Sequence, residues 1–182
     1  MSHCTVKILC TALLVTALSG CPGGDAAAPA SAPDAAAEPA IPDALYLAAR
    51  PEGAAPSLVA LKGTSKVGDS VVFEARVGGR KDPFVEGRAI FVVADTGLKS
   101  CAETEGDGCK TPWDYCCETP EDLLKNVATI RFVDAAGAPL KASVKDHKGL
   151  SGLKQVVVRG KVSEADESGN FVVDADGVWI SD

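Results

Sequence analysis

The chain has few of the residues and motifs on which most catalytic sites are built. It contains only two histidines, His3 and His147. His147 stands in the polar stretch 145–148, which predicts an exposed surface residue rather than a general base. Neither a Gly-x-Ser-x-Gly nucleophile motif nor a Gly-x-Gly-x-x-Gly phosphate-binding motif occurs. The sequence therefore predicts a protein that is not an enzyme.

The chain also lacks an apolar run long enough to span a bilayer. The apolar stretch Ile8–Ala17 has about ten residues, whereas a membrane-spanning helix needs about 20. A single cation, Lys7, precedes the stretch and small residues follow it, which is the pattern of a secretory signal. Residues 1–20 are predicted to be a signal peptide.

The residues that follow this stretch, Leu18-Ser19-Gly20-Cys21, resemble the lipobox of bacterial lipoproteins. The resemblance implies that the Cys21 thiol carries diacylglycerol and that the chain is cleaved just before it. A plain secretory signal with an incidental cysteine is the alternative. The resemblance places the protein in the bacterial cell envelope, anchored to a membrane by its acyl chains. The outer membrane is favoured over the inner one, because Pro22 stands where an aspartate would act as a retention signal.

The chain also has fewer basic than acidic residues, 18 against 25. The formal net charge is −7, and removal of residues 1–20 takes away one lysine and no acid. An acidic surface repels nucleic acid and anionic lipid headgroups. We therefore expect no nucleic-acid partner and a membrane contact made through lipid alone. The remaining candidates for a partner are an envelope protein and a small-molecule or glycan ligand.

Residues 21–43 are rich in alanine and proline and contain no aromatic residue. Ile41 is their only large apolar residue, so they cannot bury enough surface to offset the entropy of ordering. This composition predicts a disordered tether that begins at the lipidated cysteine. Residues 44–65 form a lead-in segment, and residues 66–182 form the folded domain.

The folded domain contains five β-rich runs bounded by glycine or polar turns, and no long amphipathic helix. Thr119 and Pro120 open a short helix. The pattern predicts an all-β fold with small α content, in the form of a five-stranded antiparallel barrel. An immunoglobulin-like sandwich is the rival, but it usually needs seven strands. The predicted strands are Ser70–Val77, Arg88–Asp95, Ala128–Val133, Gln155–Val162 and Asn170–Ile180.

Two segments of this domain resemble OB-fold domains. Residues 153–173 are similar to the last two strands of such barrels, where a glycine, here Gly160, lets a strand bend sharply. Residues 67–78 are similar to the first strand. The resemblance implies an OB-like barrel with a Cys-rich insertion at residues 98–118, and it implies no particular activity.

Four cysteines, Cys101, Cys109, Cys116 and Cys117, lie within that insertion. An even number of clustered cysteines in an exported chain favours disulfides. A bridge between Cys116 and Cys117 would be strained, so each is expected to pair with Cys101 or Cys109. Four thiolates could instead hold a metal or act in redox chemistry, but no Cys-x-x-Cys spacing supports either alternative. The sequence thus predicts no metal and no cofactor.

Four further residues are candidates for ligand binding. Arg80 and Arg88 lie in the loop between the first two strands and could bind a carboxylate or phosphate, and Trp113 and Tyr115 could stack on a sugar or base. The element Trp113–Cys117 resembles one found in uncharacterised envelope lipoproteins, which implies no activity. The leading interpretation is a non-enzymatic binding or structural module of the envelope. A thiol-based metal or redox protein is the alternative.

Overall fold

The computed structural model describes residues 40–182 apart from residues 56 and 107. The predicted signal peptide, Cys21 and the predicted tether up to residue 39 lie outside the described residues. From residue 40 onward the chain belongs to one compact unit. In this described part, no helix combines the length and the apolar character needed to cross a bilayer.

Five strands close into a barrel in the order β1-β2-β3-β5-β4. The predicted five-stranded OB-like barrel with small α content is therefore confirmed, and each predicted strand overlaps an observed one. The strands are β1 (Ser70–Val77), β2 (Ile90–Ala94), β3 (Val127–Arg131), β4 (Gln155–Ala165) and β5 (Phe171–Ile180).

One pairing corrects the prediction that the barrel is antiparallel throughout. Strands β3 and β5 run parallel, with Ile130 opposite Val173, whereas the other four pairings are antiparallel. A closed ring with an odd number of strands cannot alternate in direction at every contact. At least one parallel contact is therefore required, and it falls between β3 and β5.

The barrel core comes from alternating residues of the strands. In β1 every second side chain from Val71 to Val77 is buried, as the period of a half-buried strand demands. Gly160 lies where the β4–β5 register shifts, and a Cβ atom there would come within 2.4 Å of the Asp174 carbonyl oxygen. The close approach of β5 therefore requires a glycine at position 160.

The lead-in segment packs onto the barrel. Strand β1 pairs with β4 from Ser70 to Arg76 but with β2 only at Arg76 and Val77. Ala55 fills part of the remaining edge: its amide donates to the Val72 carbonyl (2.8 Å), and its carbonyl accepts from the Glu74 amide (3.0 Å).

Residues on both sides of Ala55 enter the core. Leu58 is fully buried, and Ile41, which falls within the predicted tether, is 5% exposed. Ile41 thus belongs to the same hydrophobic core as the strands of the barrel.

Two short helices lie on the barrel, α1 (Leu58–Thr64) and α2 (Pro120–Asn126). The Thr119 hydroxyl accepts a hydrogen bond from the Asp122 amide and Pro120 follows it, as the sequence predicts for the start of α2. Short 3₁₀ turns form at Asp43–Leu45, Cys101–Glu103 and His147–Gly149. The turn at Cys101–Glu103 begins the cysteine-rich insertion between β2 and β3.

Candidate thiolate metal site

The cysteine-rich insertion contacts the barrel at two glycines, Gly78 and Gly79, which directly follow β1. The Gly79 amide donates a 2.8 Å hydrogen bond to the Trp113 carbonyl, and the Gly78 amide donates to Val92 (3.0 Å). Both glycines have positive φ, +155° and +99°. A Cβ atom on Gly78 would lie 2.5 Å from the Trp113 carbonyl oxygen and 2.9 Å from the Tyr115 ring. Only glycine therefore allows the insertion to approach so closely.

The buried side chain of Tyr115 holds the insertion against the barrel. Its side chain is fully buried and its backbone is in the left-handed region, with φ of +57°. Burial raises the pKa of Tyr115, and the neighbouring Arg76 guanidinium acts in the opposite direction. The ring thus packs in the interior and offers no open face for stacking on a ligand.

An ion pair between Arg76 of β1 and Glu103 fixes the start of the insertion. The Glu103 carboxylate also accepts hydrogen bonds from the Ser100 amide (2.9 Å) and hydroxyl (2.8 Å). The hydrogen bond from Arg76, followed by that from the Ser100 amide, lowers the pKa of Glu103 to about 2. Glu103 stays ionised at neutral pH and holds the turn that carries Cys101.

The sulfur atoms of three of the four cysteines, Cys101, Cys109 and Cys116, lie close together in the insertion. The Cys116 sulfur lies 3.6 Å from the Cys101 sulfur and 3.8 Å from the Cys109 sulfur. Cys101 is 2% exposed, Cys109 is half-buried and Cys116 is exposed. A disulfide would need sulfur atoms about 2.05 Å apart. In the described structure these pairs are in van der Waals contact, and the predicted bridges remain a prediction.

Asp114 brings a carboxylate to the same point. Its Oδ1 atom lies 3.7 Å from the Cys101 sulfur and 3.9 Å from the Cys109 sulfur. The Thr111 hydroxyl donates to Oδ2 (2.7 Å) and the Cys116 amide donates to Oδ1 (2.9 Å), so the carboxylate is oriented by its own loop. Desolvation acts to raise the pKa of Asp114, but the hydrogen bonds led by Thr111 outweigh it and lower the pKa.

The donor atoms of Cys101, Cys109, Asp114 and Cys116 all lie within 4.8 Å of one another, close enough for all four to bind one metal ion. The neighbouring groups also affect proton binding. Hydrogen bonds with Cys101, Cys109 and Asp114 raise the pKa of the Cys116 thiol. The Cys116 thiol therefore keeps its proton more readily than an ordinary cysteine unless a cation neutralises the cluster.

The predicted ligand residues do not gather at this cluster. Trp113 precedes Asp114, but its indole points away, packs on Gly152 and donates to the Lys81 carbonyl (3.0 Å). It lines a surface cleft of about 370 Å³ together with Phe84 and Lys145. Arg80 lines a separate groove beside Leu123 and Phe171, and Arg88 is exposed at the far end of its loop.

Sequence reasoning missed Asp114 as a donor and missed the supporting roles of Gly78, Arg76 and Glu103. The one local signal was Thr111-x-x-Asp114, in which a hydroxyl three residues earlier can orient the carboxylate. The remaining relationships join residues far apart in the chain, so no local pattern reports them.

Other acidic residues have partners of their own. Asp174 pairs with Arg131 (2.7 Å) and Asp176 pairs with Arg159 (2.6 Å). His147, expected to be exposed, is half-buried, and its ring centroid lies 5.0 Å from that of Tyr46. These groups lie outside the cysteine cluster.

Comparisons of this chain with protein-family models, with curated proteins and with solved structures found no match.

Proposed function

We propose that this protein is a metal-binding module that holds a zinc-type divalent cation through Cys101, Cys109, Cys116 and Asp114. The observation that carries the proposal is the convergence of three sulfur atoms and one carboxylate oxygen within 4.8 Å. The module is non-enzymatic, because four protein donors fill a tetrahedral shell and leave no position open for a substrate.

The sulfur separations support a tetrahedral site. Zinc–sulfur bonds of about 2.3 Å at a tetrahedral angle place two ligand sulfurs about 3.8 Å apart. The observed separations from Cys116 to Cys101 and Cys109, 3.6 and 3.8 Å, are close to this value. A metal would therefore require little movement of these side chains.

The chemical type of the donor atoms determines which metal ions the proposed site favours. Thiolates are soft ligands that favour zinc and other thiophilic ions, whereas calcium and magnesium prefer all-oxygen sites. A site with three sulfur donors and one oxygen donor, from Asp114, is therefore expected to bind calcium and magnesium poorly.

The second part of the proposal concerns location. The lipobox-like Leu18–Cys21 supports an exported, lipid-anchored protein, and the acidic composition leaves anchoring to the acyl chains. A bound metal would protect thiols in an oxidising compartment, where unligated cysteines tend to form disulfides.

Metal binding is tested with the full chain carrying Cys4→Ser, Cys10→Ser and Cys21→Ser, purified with reductant and without oxygen. We expect one zinc per chain by elemental analysis and cobalt–thiolate absorption after replacement with Co²⁺. Cys101→Ser, Cys109→Ser and Cys116→Ser should each weaken binding at least tenfold. Cys117→Ser is the matched control and should bind as the parent does. Absence of metal in the reduced protein, or an equal loss in Cys117→Ser, would contradict the proposal.

Location is tested separately in a bacterial host by labelling with a fatty-acid analogue. The unaltered chain should be labelled and fractionate with membranes. Cys21→Ser should be unlabelled and released, whereas Cys10→Ser should behave as the unaltered chain. Retention of Cys21→Ser in the membrane fraction at the unaltered level would rule out lipid anchoring at this residue.

A further inference from the structure

We infer that the cluster is a redox-gated metal site, in which a disulfide between Cys101 and Cys116 forms in place of the bound metal. The inference rests on the proposed function, and it adds the means by which the metal is released.

Cys116 is central to the cluster. Its sulfur is 3.6 Å from that of Cys101, and bond formation requires an approach to about 2.05 Å. A change of about 1.5 Å is within the range of side-chain rotation. The thiolates that bind the metal are therefore already placed to bond with each other once it leaves.

The two sulfurs differ in access. Cys116 is exposed and Cys101 is 2% exposed. An incoming disulfide therefore meets Cys116 first, and Cys101 lies behind it as the resolving thiol.

Cys101 is better placed than Cys109 for this second role. The Cys101 amide donates to the Pro112 carbonyl (3.2 Å), and the Cys116 amide donates to Asp114. These bonds hold the two residues on one short framework. Cys109 follows Gly106 and Gly108, and glycine leaves a chain more conformational freedom.

The chemistry needs a disulfide as oxidant, such as a low-molecular-weight RS–SR. The Cys116 thiolate attacks one sulfur, forms a mixed disulfide and releases one RS⁻. The Cys101 thiolate then attacks the Cys116 sulfur and releases the second RS⁻. The protein loses two electrons, the oxidant is reduced to two thiolates, and the metal leaves as the aqueous divalent ion.

Oxidation would leave Cys109 and Asp114 as the only donors of the original four. Two donors bind zinc far more weakly than four, so the ion is released. The contacts of Arg76 with Glu103 and of Gly79 with Trp113 do not involve the sulfur atoms, so oxidation leaves the insertion attached to the barrel. The site can therefore bind metal again after reduction.

The experiment uses the full chain with Cys4→Ser, Cys10→Ser and Cys21→Ser, loaded with zinc and titrated with oxidised glutathione. Zinc release is followed with a chromogenic chelator, and bridges are mapped by mass spectrometry after non-reducing digestion. We expect one zinc released per disulfide formed, a Cys101–Cys116 bridge, and recovery of zinc binding after reduction. Zinc retained by the oxidised protein, or a bridge that joins Cys101 or Cys116 to any other cysteine, would overturn the inference.

A variant identifies the resolving thiol. Without zinc, Cys101→Ser should accumulate one glutathionyl group on Cys116, whereas Cys109→Ser should proceed to the Cys101–Cys116 bridge. Conversion of the Cys101→Ser mixed disulfide to a Cys109–Cys116 bridge would overturn the assignment. Failure of the reduced parent to bind zinc would overturn the proposed function as well. Zinc binding that is unaffected by oxidation would overturn this inference alone.

Discussion

The amide of Gly79 donates a 2.8 Å hydrogen bond to the carbonyl oxygen of Trp113, and this contact joins the cysteine-rich insertion to the barrel. The residue before it, Gly78, leaves no room for a side chain, because a Cβ atom there would collide with the Trp113 carbonyl and the Tyr115 ring. Asp114 lies between these two anchored residues, so the position of one proposed metal donor depends on the end of β1.

Gly78→Ala should therefore damage both the fold and the site. The added Cβ would lie 2.5 Å from the Trp113 oxygen at a φ of +155°. We expect a loss of about 2–4 kcal/mol in the free energy of unfolding, together with weaker zinc binding. Denaturant unfolding and zinc titration measure the two effects. Gly137→Ala is the control, since its φ is also positive (+79°) but no atom lies within 4 Å, and an equal loss in both variants would refute the packing argument.

Glu103→Gln should weaken metal binding without touching the metal. The substitution removes the charge that pairs with Arg76, whose side chain is 13% exposed, and loosens the turn that carries Cys101. We expect zinc affinity to fall several-fold and stability to fall by about 1 kcal/mol. Glu74→Gln breaks the more exposed Arg50–Glu74 pair and should leave zinc affinity unchanged. Equal zinc affinity in Glu103→Gln and the parent would show that this ion pair does not position the site.

Removing the metal should lower stability most strongly in the insertion. A ligand present at a hundredfold excess over its Kd stabilises the folded state by about 2.7 kcal/mol. Chelation should therefore lower Tm and increase hydrogen exchange across residues 100–118, while the paired amides of β4 and β5 stay protected. Uniform loss of protection across the barrel would contradict a local role for the metal.

Lys62→Met tests a contact between three separate parts of the chain. The Lys62 ammonium donates to the carbonyl oxygens of Leu124 (2.6 Å), Val127 (2.9 Å) and Gly169 (3.0 Å). Its loss should cost about 1–3 kcal/mol, measured by denaturant unfolding, because these carbonyls lose a charged donor. Lys125→Met, at an exposed position in the last turn of α2, is the matched control and should change stability little.

Tyr46→Phe should stabilise the protein. Among the described residues the buried Tyr46 hydroxyl has no hydrogen-bond partner, and its ring packs edge-on against Phe132. Removing the hydroxyl keeps the ring contact and removes a desolvated polar atom, so we expect a gain of about 1 kcal/mol at neutral pH in denaturant unfolding. A loss of stability would show that the hydroxyl makes a favourable contact.

The same variant isolates an alkaline transition. Burial, with a smaller effect of Asp43, raises the pKa of Tyr46 to about 12 from its ordinary value of 10.0. Below pH 10 both folded and unfolded states keep the proton, and between pH 10 and 12 the unfolded state loses it first. Stability should therefore fall over this range, and the fall should be smaller in Tyr46→Phe. Parallel pH profiles for the two proteins would contradict the assignment.

The barrel could be predicted from the sequence because the patterns that indicate it involve residues close together in the chain. The alternation in Ser70–Val77, the glycine at position 160 and the cap at Thr119 each reflect a preference of neighbouring residues. The parallel β3–β5 contact has no local signal, since it arises from closing an odd number of strands into a ring.

The convergence of the proposed metal donors could not be predicted from the sequence in the same way. Cys101 and Cys116 are fifteen positions apart, and no Cys-x-x-Cys spacing marks them as ligands of one ion. They meet because Cys101 bonds to Pro112 and because Gly79 holds Trp113 against β1. Such convergence depends on the folded barrel, so the spacing of the cysteines along the chain does not reveal it.

The seating of Ala55 on β1 has a consequence for solubility. Without it, the backbone groups of Val72 and Glu74 that bond to Ala55 would be left open along a strand edge rich in apolar residues. An open edge of this kind is a template for pairing with a second chain. We therefore expect the segment before the barrel to limit aggregation, and a recombinant domain that starts at residue 66 to aggregate more readily.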